Sequence, residues 1–388
     1  MHESGPARRE LSQHTTRVLA VCHVTSSHNV DDMRIYEREC RALADHPGFR
    51  VLLVGPGRVP DHGSITHVRT GAAPRNRLSR WTLAIPRAMR PLLSTQADVY
   101  HFHDPELIPL AWVLAISGKR VVWDAHEDYE GRFASVEGSG RWSKRGLSKR
   151  MTHRVIDAID KKASGVIAAS QTIASRYSNP RVQIVGNEAR IRDFEEARPS
   201  FGERRGLFTG SPESGHLFPE ILRAIEGTPD LRLTVVGGRE TPEMRRFAHE
   251  ILGDRVEFLG RQSPEGLVEQ MSRCSFGLCT YAPTPAYMDP TGSPTKFYEF
   301  AAGGLPIVGS PIPTITTRLN ESMAGRLAVD FTARGLSEAI REVTSDEDEW
   351  EKMSRTARAW SRQNDRWAES EAALMALYSE LAEERTTP

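Results

Sequence analysis

The sequence is short of cysteine: four in 388 residues, with no Cys-x-x-Cys pair. That excludes a disulfide framework and a thiolate metal cluster. Cys22 and Cys279 sit in apolar strand-like runs, and with Cys40 and Cys274 they read as reduced core residues of a cytosolic protein. No apolar run reaches the roughly 18 residues of a membrane span. The opening "MHESGPARRELSQHTT" has no apolar signal-peptide core and reads as a disordered tail. Net charge is also lacking, at 51 Lys+Arg against 51 Asp+Glu. With no recognition motif present, that argues against nucleic acid as a partner. Low-complexity segments and short-period repeats are absent. No glycine-rich fingerprint follows the first strand: "CHVTSSHNV" has no glycine, and "GPG" at 55–57 lacks a third. That argues against a dinucleotide-dependent oxidoreductase.

What is present is a soluble composition, 26% charged and 39% hydrophobic, at a length that predicts two or three domains. Short apolar runs alternate with helical patterns. Strands are expected at 17–26, 49–55, 98–103, 120–126, 165–170 and 182–187, with a helix over about 32–45. Residues 188–204 are charged, contain proline and read as a linker. The alternation then restarts at 206–210, 231–237, 256–260, 276–281, 305–310 and 325–330. Helices follow, carrying Trp350, Trp360 and Trp367 for packing. This predicts an α/β chain of two Rossmann-like domains facing a cleft. They run over 15–187 and 205–364, and a C-terminal helix at about 365–384 packs back on the first. Ligands in such sheets lie at the carboxyl ends of the strands.

The strand ends carry the chemistry. "VYHFHDPELIP" (99–109) places His101 and His103 on one strand face, with His103 at the end where a ligand could reach it. The competing reading is a buried His101 and an exposed, idle His103. A metal would need a third ligand, and Asp104 points elsewhere. "WDAHEDYEGR" (123–132) ends the next strand with His126, Glu127 and Asp128. After the first strand, "HVTSSHNVDDMRIYEREC" (23–40) puts His28, Asp31, Asp32 and Arg34 on a loop and helix entry. Either aspartate suits an N-cap, and Arg34 in a first turn either opposes the dipole or reaches an anion.

"SPTKFYEFAAGGLPIVGS" (293–310) raises the same question more sharply. Ser293 and Pro294 suit a helix start, and Gly303 and Gly304 its end. Lys296 then lies at the positive end of the dipole, with Glu299 one turn behind. A bound phosphate would reverse the penalty on Lys296, and Glu299 could accept from a ribose diol. A surface Lys296–Glu299 pair fits the same spacing.

Together these stretches resemble the GT-B retaining glycosyltransferases of family 4, over roughly residues 17–345. "DVYHFHDPELIP", "VVWDAHEDY", "SGVIAASQTIASRY", "VQIVGN", "LRLTVVGG", "RVEFLGRQSPEGLVEQMSRCSFGLC" and "SPTKFYEFAAGGLPIVGS" match in order. The opening loop resembles a subset from polysaccharide and natural-product pathways. The resemblance implies sugar transfer from a nucleoside-diphosphate sugar (UDP-, GDP- or dTDP-linked) to an acceptor hydroxyl, with retention and without metal or other cofactor. It places the donor on the C-terminal domain, with ribose on Glu299, diphosphate on amides near Thr295 and Lys296, and Ser293 as a further donor contact. It implies Gly210, Ser211, His216 and Gly237 as donor nucleotide or sugar contacts, and Gly260, Arg261 and Gln262 in the loop that approaches the base. His103 is implied at the reacting sugar. His28, Asp32, Arg34, His126, Glu127 and Asp128 fall on the acceptor side.

Three departures accompany the match. The family's first glutamate, eight positions before Glu299, is Thr291 here, and Asp289 or Thr291 must serve the sugar. The Arg and Lys that follow the first donor-domain strand are missing; "TGSPESGHLFPE" (209–220) offers Ser211, Ser214 and His216. The first-strand loop is not a glycine pair. "DED" (346–348) lies in an acidic helix start, which argues against a metal-dependent GT-A enzyme. An inverting GT-B transferase, a sugar-nucleotide epimerase and an inactive nucleotide-binding scaffold stay open. Residues 1–200 hold 30 basic and 22 acidic residues, the rest 21 and 29. The basic stretches 74–93 and 141–154 suit a soluble phosphorylated acceptor, a lipid-linked acceptor with transient anionic membrane contact, or plain solvent. A small soluble natural-product intermediate is the leading expectation. The chain is then cytoplasmic, with the inner membrane face as the alternative.

Overall fold

β-branched and leucine-rich runs form the strands because helices cover both of their faces; β1 (Leu19–Val24) is buried at all six positions. The computed structural model describes residues 18–26, 30, 32–59, 63–72, 77–126, 144–238, 240–285, 287–288 and 294–383. After β1, a π-helix (Met33–Cys40) runs into α1 (Arg41–Ala44). Then come β2 (Phe49–Gly55), β3 (Ile65–Arg69), α2 (Arg77–Ser94), β4 (Val99–Phe102), α3 (Ile108–Ile116) and β5 (Arg120–Ala125). α4 (Lys144–Lys162), β6 (Gly165–Ala168), α5 (Gln171–Ala174) and β7 (Val182–Ile184) complete the first sheet, ordered β3-β2-β1-β4-β5-β6-β7. β1 pairs in parallel with both β2 and β4, so its carboxyl end lies at the point where the winding reverses.

The second sheet uses β8 (Arg205–Thr209), α6 (Phe218–Glu226), β9 (Arg232–Val236), α7 (Pro242–Leu252), β10 (Val256–Gly260), α8 (Pro264–Ser272) and β11 (Phe276–Cys279). α9 (Thr295–Gly303), β12 (Ile307–Gly309), α10 (Pro313–Ser322), β13 (Gly325–Leu327) and α11 (Ala333–Thr344) follow. Its order is β10-β9-β8-β11-β12-β13, with the reversal between β8 and β11. α12 (Glu347–Gln363) and α13 (Arg366–Glu383) end the chain.

The chain divides into two compact units, residues 1–167, 177–182 and 375–388 against 168–176 and 183–374. In the first, Leu377 of α13 packs on Gly165, where a Cβ would stand 2.6 Å from its Cδ1. In the second, Ala189, Ile191, Phe194 and Ala197 from the expected linker are buried in the core with Phe297, Phe300 and Trp360. Apolar side chains at these four positions turn that stretch inward. Trp350 is buried with its Nε1 donating to Ser275 O at 2.6 Å. Trp367 is buried as well.

Three local expectations change. β3 was not anticipated. The helix after the first strand opens as a π-helix, not as a continuous α-helix. And α9 starts at Thr295, with extended Pro294 as its cap and no side-chain cap bond; Ser293 lies outside the described residues. Among the described residues, no helix is long and apolar enough to cross a membrane.

Candidate functional site

The second sheet gathers its chemistry at the reversal between β8 and β11. Gly210 follows β8 with φ +115°, and Gly237 follows β9 with φ +155°. A Cβ on Gly237 would stand 2.2 Å from Gly210 O, so the two backbones cross at a distance only glycine permits. Lys296, in the first turn of α9, sends its Nζ over the rings of Phe208 at 4.7 Å and Tyr281 at 4.8 Å. Among the described residues Nζ has no hydrogen-bond partner, and it lies 3.9 Å from where a Gly210 Cβ would be. Burial lowers the Lys296 pKa from 10.5 to about 8. A buried ammonium without an acceptor, in the first turn of a helix with no side-chain cap bond, is a site prepared for an anion. Glu299 is buried one turn on, and Thr295 Oγ1 donates to Asn187 O at 2.8 Å.

His216 closes one side of this site. Its Nδ1 donates to Ser211 O at 2.8 Å, which fixes the tautomer, so Nε2 accepts from Tyr287 OH at 3.3 Å. Burial first, then the nearby Lys296, lowers its pKa and keeps the ring neutral.

The first sheet gathers a different set. Register pairs His23 on β1 with His101 on β4, and His101 with Val122 on β5. Counting in twos, His23, His101, His103 and Asp124 share one face. All four are fully buried. Asp124 is the hub. It accepts from Arg34 at 2.7 and 3.0 Å, from His103 Nδ1 at 2.9 Å and from His126 Nδ1 at 3.1 Å. Burial alone would raise its pKa, but Arg34 and the histidines outweigh that and hold it well below the usual range. Arg34 also meets Glu39 at 3.1 Å. These two are five residues apart, which an α-helix would turn to different faces and the π-helix brings to one. Burial, then Asp124, pushes Glu39 well above the ordinary carboxyl range. Burial lowers all three histidines and leaves them neutral.

Two family models match the chain: "Glycosyltransferase Family 4" over residues 34–187, and "Glycosyl transferases group 1" over residues 214–346. The chain belongs to the family 4-like GT-B glycosyltransferases. Solved structures share the fold at low identity. Sucrose-phosphate synthase from Thermosynechococcus elongatus is 16% identical, with a TM-score of 0.66 over 94% of this chain and 99% of that one. WaaG, a glycosyltransferase involved in lipopolysaccharide biosynthesis, is 15% identical, with a TM-score of 0.66 over 93% and 99%. HepE of Anabaena, solved with UDP and glucose, is 13% identical, with a TM-score of 0.63 over 95% and 99%. No sequence of a curated protein matches the chain.

In this glycosyltransferase, Lys296, Glu299, Thr295, Gly210, Ser211, His216 and Gly237 are all in the second unit. The surface reading of Lys296 and Glu299 is overturned, since both are buried. Arg261 packs its Nε 3.4 Å from a Cβ on Gly238, and Gln262 Nε2 donates to Leu259 O at 2.9 Å. Asp32 is an N-cap, accepting from Arg34 N and Ile35 N. Arg34 is not poised for an external anion, because Asp124 and Glu39 already hold it. His103 is not reachable at the strand end: Asp124 and His23 engage its two nitrogens, and it has no exposed surface. Asp104 does turn elsewhere, accepting from Thr25 Oγ1 and Ser26 N, each at 2.7 Å. His28, Glu127, Asp128, Asp289, Thr291 and Ser293 lie outside the described residues. So do the side chains of most of the two basic stretches and that of Ser214.

Sequence reasoning missed His23, Glu39, Asp124 and Tyr378. Asp124 had a signal, two residues before His126 on the same strand. The others needed strand register, the π-helix turn and a contact from α13.

Proposed function

We propose that this glycosyltransferase takes its sugar from a nucleoside diphosphate held on the second unit and transfers it with retention of configuration. The observation that carries the reading is the buried, unpaired Lys296 ammonium beside Gly210, with Glu299 one turn behind. Lys296 takes up diphosphate charge in place of the missing Arg and Lys after β8. Main-chain N–H groups at the start of α9 share that charge, and Glu299 accepts from the ribose hydroxyls. The C1–O bond to diphosphate breaks as the acceptor oxygen bonds C1 on the same face. The acceptor's proton passes to the departing diphosphate oxygen. Family membership supports this same-face route.

HepE's complex with UDP makes UDP-sugars the first donors to test. A small soluble hydroxylated intermediate is the acceptor we favour. Calorimetry with UDP, GDP and dTDP on the wild type and on Glu299→Gln tests the donor site. One nucleotide should bind, with roughly 10-fold or greater weakening in the variant, the loss of a charged hydrogen bond. No binding by any of the three, or equal binding by Glu299→Gln, overturns the reading. Proton NMR of the new linkage reports retention or inversion.

A further inference from the structure

We propose that His216 binds the donor's diphosphate as an imidazolium, taking a proton from solvent as the nucleotide sugar enters, while the Tyr287 hydroxyl turns from the ring to the same anion. The inference rests on the donor-site reading above and deepens it. It concerns the loop between β8 and α6, where the family's Arg and Lys are missing. A histidine and a tyrosine that bond each other in the ligand-free protein become two donors to one anion.

The loop holds this ring in place. His216 Nδ1 donates to Ser211 O at 2.8 Å, and His216 O accepts from Thr280 Oγ1 at 2.7 Å. Ala282 N donates to Gly215 O at 2.9 Å. The next residue, Leu217, is buried in the left-handed region at φ +56°, a conformation unfavourable for leucine. Strain kept in a buried loop goes with a geometry that function requires. The ring stands against Phe208 and Tyr281, with centroids 6.2 and 5.4 Å away, and these are the two rings that carry the Lys296 ammonium. His216 and Lys296 therefore flank one site beside Gly210.

Among the described residues, the titratable groups facing His216 are Lys296, Glu213, Tyr281 and Tyr287. Nδ1 is committed to Ser211, so the change falls on Nε2. Neutral, it accepts from Tyr287 over a long 3.3 Å; protonated, it donates. Burial and Lys296 keep the ring neutral in the ligand-free protein, and the largely exposed Glu213 carboxylate, 3.8 Å from Nδ1, does not reverse that. A diphosphate brings more negative charge than Lys296 neutralises, so the local field changes sign and favours the imidazolium. Tyr287, whose proton burial holds on, cannot donate to a protonated nitrogen and is released to the phosphate. His216 is thus a cation only when the anion is present, which avoids repulsion with Lys296 in the empty site.

Calorimetry of the full chain with UDP-glucose, GDP-mannose and dTDP-glucose, at about pH 7 in two non-phosphate buffers of different protonation enthalpy, counts the protons taken up. These diphosphates are fully ionised there and bring no titration of their own. Lys296, with its pKa at about 8, is already mostly charged and accounts for about 0.1 proton. Wild type should take up roughly 0.5 proton or more, and its Kd should climb between about pH 6 and 7.5, below the window set by Lys296. His216→Asn keeps a donor for Ser211 O, and His216→Gln keeps a polar end towards Tyr287. Both should fall to about 0.1 proton and lose that slope. Both should bind about 10-fold more weakly at about pH 6.5. Tyr287→Phe should keep the uptake and bind roughly 3–10-fold more weakly; equal binding removes Tyr287 from the proposal. Wild-type uptake of only about 0.1 proton, or undiminished uptake in either amide variant, overturns the inference and leaves a neutral, structural His216. If none of the three nucleotide sugars binds, the donor-site reading fails and this inference with it.

Discussion

Replacing Lys296 by Met should make the ligand-free protein more stable and unable to bind nucleotide. Burial takes the Lys296 pKa from 10.5 to about 8. At about 1.4 kcal/mol per pKa unit, keeping the ammonium charged at pH 7 costs about 3 kcal/mol. The rings of Phe208 and Tyr281 return part of that, about 0.5–2 kcal/mol for such contacts. Methionine has similar bulk and no charge, so the variant should gain about 1–2 kcal/mol in urea unfolding at pH 7. The sign reverses nowhere in the alkaline range. The folded pKa lies below the unfolded one, so the unfolded chain binds more protons between about pH 8 and 10.5. Wild-type stability should therefore rise with pH across that window, and the variant should lack the rise. Nucleotide affinity should run the other way. Above about pH 8, binding must first protonate Lys296, so wild-type Kd should climb about tenfold per pH unit. Calorimetry with UDP from pH 7 to 9.5 reads the slope. A flat Kd, or a Met variant that binds UDP normally, refutes the role given to Lys296. A Met variant that loses stability shows that the ammonium is a structural group.

Other substitutions probe the two sheets. Gly237→Ala should cost about 3 kcal/mol in urea unfolding, because its Cβ meets Gly210 O at 2.2 Å and neither backbone can yield. Asp124→Asn should cost about 3–5 kcal/mol, because it leaves the buried Arg34 guanidinium without its main counter-charge. Met323, left-handed at φ +51° and 59% exposed, caps α10; Met323→Gly should gain about 0.5–1 kcal/mol in thermal or urea unfolding.

The sequence carried the scaffold well where burial is two-sided. β2 and β10 fall on their expected residues, because apolar runs bounded by glycine or charge leave few choices. β3, "ITHVR", escaped notice because only Ile65 is buried and the rest is mixed. Lys296 was legible because a lysine at a helix's positive end contradicts the local electrostatics. The histidine cluster was legible only in part. His101 and His103 share a strand, but His23 joins them through register, Glu39 through a π-turn, and Tyr378 from 277 positions away. None of those relations leaves a periodic trace.

The two sheets use one architectural rule with opposite chemistry. Each collects buried polar groups where its winding reverses, because only there do neighbouring strand ends diverge enough to admit a ligand. In the first sheet the charges compensate internally: Arg34 pairs with the ionised Asp124, while burial and Asp124 favour the protonated form of Glu39. In the second, what lacks a partner among the described residues is the Lys296 ammonium. An unpaired buried ammonium calls for an anion. The same reasoning accounts for the missing Arg and Lys after β8: with Lys296 already buried beside Gly210, further cations there would repel it at short range in a medium that screens poorly.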